Sequence, residues 1–411
     1  MKIRIQDLPR SIWALFAVRL VVAAGNFIFP FLTLILTTRL GWSSDKAGIF
    51  LTAMHAAALP GVFLGGRLSD VLGRKRIIML CQAVAVVLFF TSLAVGFVPI
   101  LPFLIAAASV ALSMTWPVIN ALVADLVPEP ETRKSAFALL YWGNNIGFSL
   151  GPLAAGFLFH RAPGLMFLGN GTALFISIFI MMKFIPDSGS TAAMAGDGRE
   201  AEASRSGSLW SVLVERPVII AFALIVAIMN FVYSQNGFSL PLFLNAALGE
   251  KGAEIFGSAM TVNGLTVVFC TLLLSRFTAK TPVLVVMAIA SVLYAIGFGM
   301  LSLPPSFLLV IVSTVIWTWG EILSATNINV FVASKTPASH RGRVNSAVTV
   351  ITNLGSLSAP VISGAIIHRG GAGSLWPIAF FMGLGAAALM VLLGAYERSR
   401  GPAASSMKTR I

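Results

Sequence analysis

Charge is what this sequence lacks most. Only 10% of its 411 residues are Asp, Glu, Lys or Arg, against 57% hydrophobic, and the mean hydropathy is +0.91. A water-soluble domain usually devotes about a quarter of its residues to charge. A chain with so few is expected to have lipid as its solvent. Cysteine is nearly absent too. Cys81 and Cys270 both fall inside long apolar stretches, where a disulfide framework has no use and ordinary packing is the expected role. No G-x-x-x-x-G-K-S/T phosphate loop occurs, so the chain carries no ATP-binding engine of that kind. Neither a metal, a cofactor nor an enzymatic activity is expected.

What fills the chain is a series of apolar stretches of roughly 20 residues, each long enough to cross a hydrocarbon core about 30 Å thick. Cutting at polar and turn-rich points predicts an all-α membrane protein of twelve spans. They lie at 11–37, 46–69, 76–97, 102–127, 135–159, 164–185, 217–245, 252–276, 281–302, 305–333, 342–367 and 374–396. The first is too long for a signal-peptide core and lacks a suitably placed A-x-A site, so it is expected to stay as helix 1.

The formal charge of +13 then has a topological meaning. Basic residues gather in alternate loops, among them Arg67, Arg74, Lys75, Arg76, Arg133, Lys134, Arg276, Lys280, Arg341 and Arg343. The intervening loops hold only Arg39, Lys46, Arg161, Lys251 and Arg369. By the positive-inside rule both termini and the basic loops are cytoplasmic, in a multi-pass protein of the cell inner membrane. No basic face with interleaved aromatics lies outside the spans, so nucleic acid is not an expected partner.

Between Pro186 and Leu213 the chain turns polar and small. This predicts a cytoplasmic linker at 186–216, with a short surface helix at 209–214, dividing an N-terminal six-helix bundle (1–185) from a C-terminal one (217–411). The halves are related. A displacement of 208 residues, the separation of Asn145 and Asn353, carries Arg133, Gly147, Pro152 and Gly156 onto Arg341, Gly355, Pro360 and Gly364, and Gly151 onto Ala359. Small residues four apart let helices approach closely. Six crossings separate the copies, so both have the same orientation and are related by an axis along the membrane normal, as in transporters with a site between parallel repeats.

The loop after helix 2 reads GGRLSDVLGRKR, with Gly66, Asp70, Gly73, Arg74 and Lys75 in a G-x-x-x-D-x-x-G-R-K pattern. In this position it resembles the loop 2–3 signature of the major facilitator superfamily. The resemblance implies that superfamily's two-bundle fold and a cytoplasmic latch containing Asp70 and Arg74. Val71 stands where the family usually has a basic residue, and the second-half loop, Leu274 to Lys280, has no aspartate. In helix 5, Gly147, Gly151, Pro152 and Gly156, with Ala155 for one glycine, resemble the G-x-x-x-G-P-x-x-G-G motif of the drug–proton antiporters. The run from Arg133 to Trp142 and the Trp319-Gly-Glu-Ile322 segment are similar to the same group.

A charge at the bilayer centre costs at least about 2.5–3.5 kcal/mol, so each needs a partner, a wet cavity or a task. Glu321, midway along helix 10, falls on Ser113 at the same displacement and so has no twin. Two readings stand: a group that couples proton or substrate movement, and a structural buried acid. Arg19 in helix 1 and Asp125 near the end of helix 4 have matching depths, which allows an ion pair, and the resemblance, in which helices 1 and 4 both line the cavity, implies that such a pair is a gate or proton-linked switch. Otherwise Arg19 snorkels and Asp125 meets interfacial water. His55 is a relay candidate or a packing histidine. Residues able to line a cavity are Asn26, Trp116, Asn120, Tyr141, Asn144, Tyr233, Gln235, Asn236, Asn263, Trp317 and Asn327.

The expectation is a monomeric secondary active transporter whose partners are protons, a small-molecule substrate and the lipid bilayer. It would export lipophilic or amphipathic compounds, in the multidrug manner, by alternating access. A carrier for a defined metabolite (a sugar, amino acid or lysolipid) and a non-transporting membrane sensor remain as alternatives.

Overall fold

A computed structural model describes residues 8–187, 217–336 and 340–399. Twelve long helices follow one another: α1 (Arg10–Arg39), α2 (Ser44–Leu72), α3 (Arg74–Val95), α4 (Leu101–Leu126), α5 (Pro130–Arg161), α6 (Gly164–Phe184), α7 (Pro217–Leu248), α8 (Glu250–Thr278), α9 (Val283–Ser302), α10 (Phe307–Lys335), α11 (Arg341–Gly370) and α12 (Leu375–Ser399). They keep the number and order read from the sequence. Eleven have the length and hydropathy of a membrane span. The twelfth, α5, is long enough but richer in small and polar residues, because it packs against other helices along much of its length. Most of the expected linker, including the helix expected at 209–214, lies outside the described residues.

Local chemistry explains several boundaries. The Glu129 carboxylate accepts the amide hydrogens of Glu131 and Thr132, and Pro130 opens α5 where a missing amide costs nothing. Gly73 joins α2 to α3 at φ 91°, a left-handed conformation that favours glycine. Helix α1 is broken at residues 25–27 and resumes at Ile28. The buried side-chain carbonyl of Asn170 on α6 accepts from the freed amides of Phe27 and Ile28 at 2.8 and 2.9 Å. In lipid those amides would otherwise find no acceptor.

In the first half α1 packs on α5 and α6, α3 on α4 and α6, and α2 on α4. In the second α7 packs on α11 and α12, α9 on α10 and α12, and α8 on α10. The halves meet mainly through α5 against α8 and α2 against α11. With an even number of crossings, residues 10 and 399 lie on one side, here the termini side. The inter-half contacts gather at the opposite, far side. There Ser44 donates to the Gly364 carbonyl at 3.1 Å and Thr52 to Leu357 at 3.1 Å, while Phe31 sets its ring 5.1 Å from that of Phe256. Toward the termini side Leu59, Val350 and Leu354 line a space between the halves and are themselves exposed. The crevice is sealed at the far side and opens toward the termini.

Candidate functional site: a crevice between two bundles

The repeated small residues form the seam. A Cβ on Gly147 would strike the Leu20 carbonyl of α1, and one on Gly355 the Ala227 carbonyl of α7. Gly151 lies against Ala23 and Ala24. Farther along, Gly156 abuts Ala253 of α8 and Gly364 abuts Ser44 of α2. The Pro152 carbonyl meets Gly257 of α8, and the Pro360 carbonyl meets Gly48 of α2. One motif thus does two jobs. Its first glycine seats the first helix of its own bundle, and its last residues seat the opposite bundle.

The α2–α3 loop is stapled within the N-terminal bundle. Arg74 donates to the Ala121 carbonyl and stands 2.6 Å from the Asp125 carboxylate, both on α4. Lys75 is buried, donates to the Ile185 carbonyl at 2.7 Å and pairs with Asp187 at 3.1 Å, so it caps the end of α6 where carbonyls carry partial negative charge. Asp70 is near enough to Asp125 for the carboxylates to repel. Two expectations change here. The close approach of α2 to α4 is made by Gly65, whose Cβ would collide with Met114, whereas Gly66 faces open space. The Arg19–Asp125 pair does not form, because the carboxylate is taken by Arg74. Arg19 instead holds its guanidinium 4.2 Å from the centre of the Trp116 ring.

Glu321 sits in a polar knot. Asn263 of α8 donates to its carboxylate at 2.7 Å and to the Thr318 hydroxyl oxygen at 3.0 Å. The Tyr233 hydroxyl bonds the same carboxyl, and Tyr294 and the opposite bundle's Tyr141 lie within its electrostatic reach. Three of the four tyrosines in the sequence therefore surround one acid. No cation pairs with it among the described residues.

Tyr233 also borders a cavity of about 540 Å³ between α1, α2, α7 and α11. Its walls are mostly apolar, with Phe29, Leu51, Met54 and Phe238, interrupted by Thr33, His55, Asn236 and Asn353. No acid, lysine or arginine is among the lining residues. His55, Tyr233 and Asn236 are thus on the wall. Gln235 is not: it is fully buried, spent on the Phe231 carbonyl and Ser239. Trp317 is likewise fully buried, stacked on Phe298 at 5.6 Å. Asn327 turns back to the Leu323 carbonyl of its own helix at 2.8 Å. Asn26 lies in the α1 break with its side-chain oxygen buried and unpartnered. Asn120, Asn144 and Tyr141 are partly accessible, on the helices α4 and α5. Sequence reasoning missed Asn353, Thr33 and Asn170. Asn353 was legible in principle, since it is the repeat partner of Asn145.

Two six-helix bundles around such a crevice define a polytopic membrane transporter. The sequence profile of the Major Facilitator Superfamily matches residues 14–337 and 237–409, and the chain belongs to that superfamily. It is 24% identical over 366 residues to a Na(+), Li(+), K(+)/H(+) antiporter of Planococcus maritimus, a match covering 81% of this chain and 84% of that protein. It is also 24% identical over 375 residues to YqjV, an uncharacterised MFS-type transporter of Bacillus subtilis (strain 168), covering 90% and 88%. The crystal structure of the nucleoside transporter NupG superposes with TM-score 0.72 at 14% identity, over 94% of this chain and 99% of that one. A POT family transporter in complex with a thioalcohol-conjugated peptide gives 0.73 at 14% identity, over 96% and 99%. These likenesses support the fold. The chain is a multi-pass membrane transporter of the MFS type.

Proposed function

We propose that the protein is a proton-coupled exporter of small lipophilic or amphipathic compounds, acting as a monomer by rocking of the bundles 1–185 and 217–411 about the linker 186–216. One observation carries the reading: Glu321, an intramembrane carboxyl held by Asn263 and Tyr233, with no cation partnering it among the described residues. Such a group can take a proton from one side and release it to the other as access alternates. Tyr233 touches both Glu321 and the cavity, so occupancy of the cavity bears on the acid directly. An apolar wall with scattered amides and hydroxyls suits compounds that gain by leaving water more than by specific hydrogen bonds. The basic loops on the termini side support a cytoplasmic location for both termini in the cell inner membrane. The crevice then faces the cytoplasm.

The test is dye efflux by the full chain in proteoliposomes under an imposed pH gradient, with Glu321→Gln alongside. Gradient-driven movement that the substitution abolishes is the expected result. Equal movement with and without a gradient, or an unaffected variant, refutes proton coupling through Glu321. A second reading, monovalent cation–proton antiport, is favoured by the Planococcus maritimus relative. Sodium- or potassium-dependent quenching of an entrapped pH dye in the same vesicles distinguishes it.

A further inference from the structure

Glu321 and Arg19 are provided for unequally. Glu321 has two hydrogen-bond partners, whereas Arg19 has an aromatic face and no hydrogen-bond acceptor or carboxylate among the described residues. The carboxylate expected to match it in depth, Asp125, is committed to Arg74 at 2.6 Å. Stacking on Trp116 stabilises a guanidinium through its face. It leaves the in-plane N–H donors unused, and those donors form the planar fork that fits a carboxylate.

The fork is partly accessible. Trp116 is 56% exposed although α4 is packed on α2 and α3. Thr33 and Phe29, beyond the α1 break at residues 25–27, line the cavity, and ten residues, up to roughly 15 Å at helical rise, separate Arg19 from Phe29. The residues lining the cavity itself include no acid, lysine or arginine.

We propose that Arg19, presented by Trp116, binds the carboxylate of an elongated amphipathic organic acid whose apolar body occupies the cavity beside Phe29, Leu51, Met54 and Phe238. The proposal rests on reading the crevice as the substrate path, and it narrows the substrate class from lipophilic compounds in general to organic anions. Arg19 is then a specificity-determining residue, and Glu321 stays free for the proton.

The experiment uses three ligands with one body and three charges: 8-phenyloctanoate, its primary amide and 8-phenyloctylammonium. Each is titrated calorimetrically into the full chain in lipid nanodiscs at pH 8, with empty nanodiscs subtracted. The carboxylate is expected to bind about tenfold or more tightly than the amide or the ammonium, the gain of a charge-assisted pair. Arg19→Gln should bring acid and amide level, and Arg19→Lys should keep part of the preference. Monodisperse elution and an unchanged melting temperature check folding, and the lysine variant serves if the glutamine variant fails that check. Glu321→Gln should keep the carboxylate preference while losing gradient-driven transport, so this proposal and the proton-coupling reading fail separately. Equal affinities, a preference for the ammonium, no saturable binding of the carboxylate, or a preference that survives Arg19→Gln overturns it.

Discussion

Arg161 at the end of α5 and Glu254 near the start of α8 close at 3.0 Å across the two bundles, and His368 and Asp45 repeat the relation at 3.6 Å with the bundles exchanged. The dipeptide His160-Arg161 recurs as His368-Arg369 at the repeat displacement of 208, and Asp45 and Glu254 are 209 apart. These exposed pairs are worth little to overall stability. Their position at the sealed end lets them bias which side is open. Spin labels on the exposed far-side loop residues Ile100 and Leu303 should report this by double electron–electron resonance. In Asp45→Asn/Glu254→Gln the distance distribution is expected to gain a longer component. An unchanged distribution means that the clasps do not bias the seal.

The seam predicts a contrast among neighbouring glycines. Gly65→Ala drives a methyl into Met114 and should destabilise by about 1–3 kcal/mol, as overpacking does. Gly66→Ala, facing open space, should stay within about 0.5 kcal/mol. Melting temperatures in detergent compare the two. Equal losses would mean that Gly66 has a neighbour in another conformation.

Asn170→Leu removes the acceptor for the Phe27 and Ile28 amides while keeping similar volume. Each buried donor left unsatisfied costs about 1–3 kcal/mol. A lowered melting temperature is expected, together with faster amide exchange localised at residues 25–28. Unaltered exchange there would show that the break in α1 does not depend on α6.

Asn263→Leu strips Glu321 of one hydrogen bond and leaves Tyr233 as its remaining partner. Loss of that bond should lower gradient-driven dye efflux from proteoliposomes severalfold, because the carboxyl is then held by fewer groups as access alternates. Tyr233→Phe should act in the same direction. Efflux unchanged in both variants would separate Glu321 from the coupling step.

Much of the architecture was written in local properties. Hydropathy runs mark the spans, alternation of basic loops marks the side of each, and the paired glycines and prolines of α5 and α11 mark the repeat. The site was less legible. Gln235, Asn236 and Tyr233 are near neighbours in sequence, and composition treats the two amides alike, yet only Asn236 and Tyr233 reach the cavity. Helical phase and the break near Ser234 turn Gln235 inward to the Phe231 carbonyl and Ser239. Asp125 offered Arg19 a partner of suitable depth, but the α2–α3 turn delivers Arg74 to it first.

The sequence by itself determined that the chain lives in lipid as twelve helices in two related halves, because the cost of exposing apolar side chains to water is paid locally, span by span. Only the tertiary structure decided which polar groups meet. Hydrogen bonds act over about 3 Å, so the partnership of Asn263 with Glu321, the capping of α1 by Asn170 and the solitary stacking of Arg19 on Trp116 depend on how separate helices are rotated against one another.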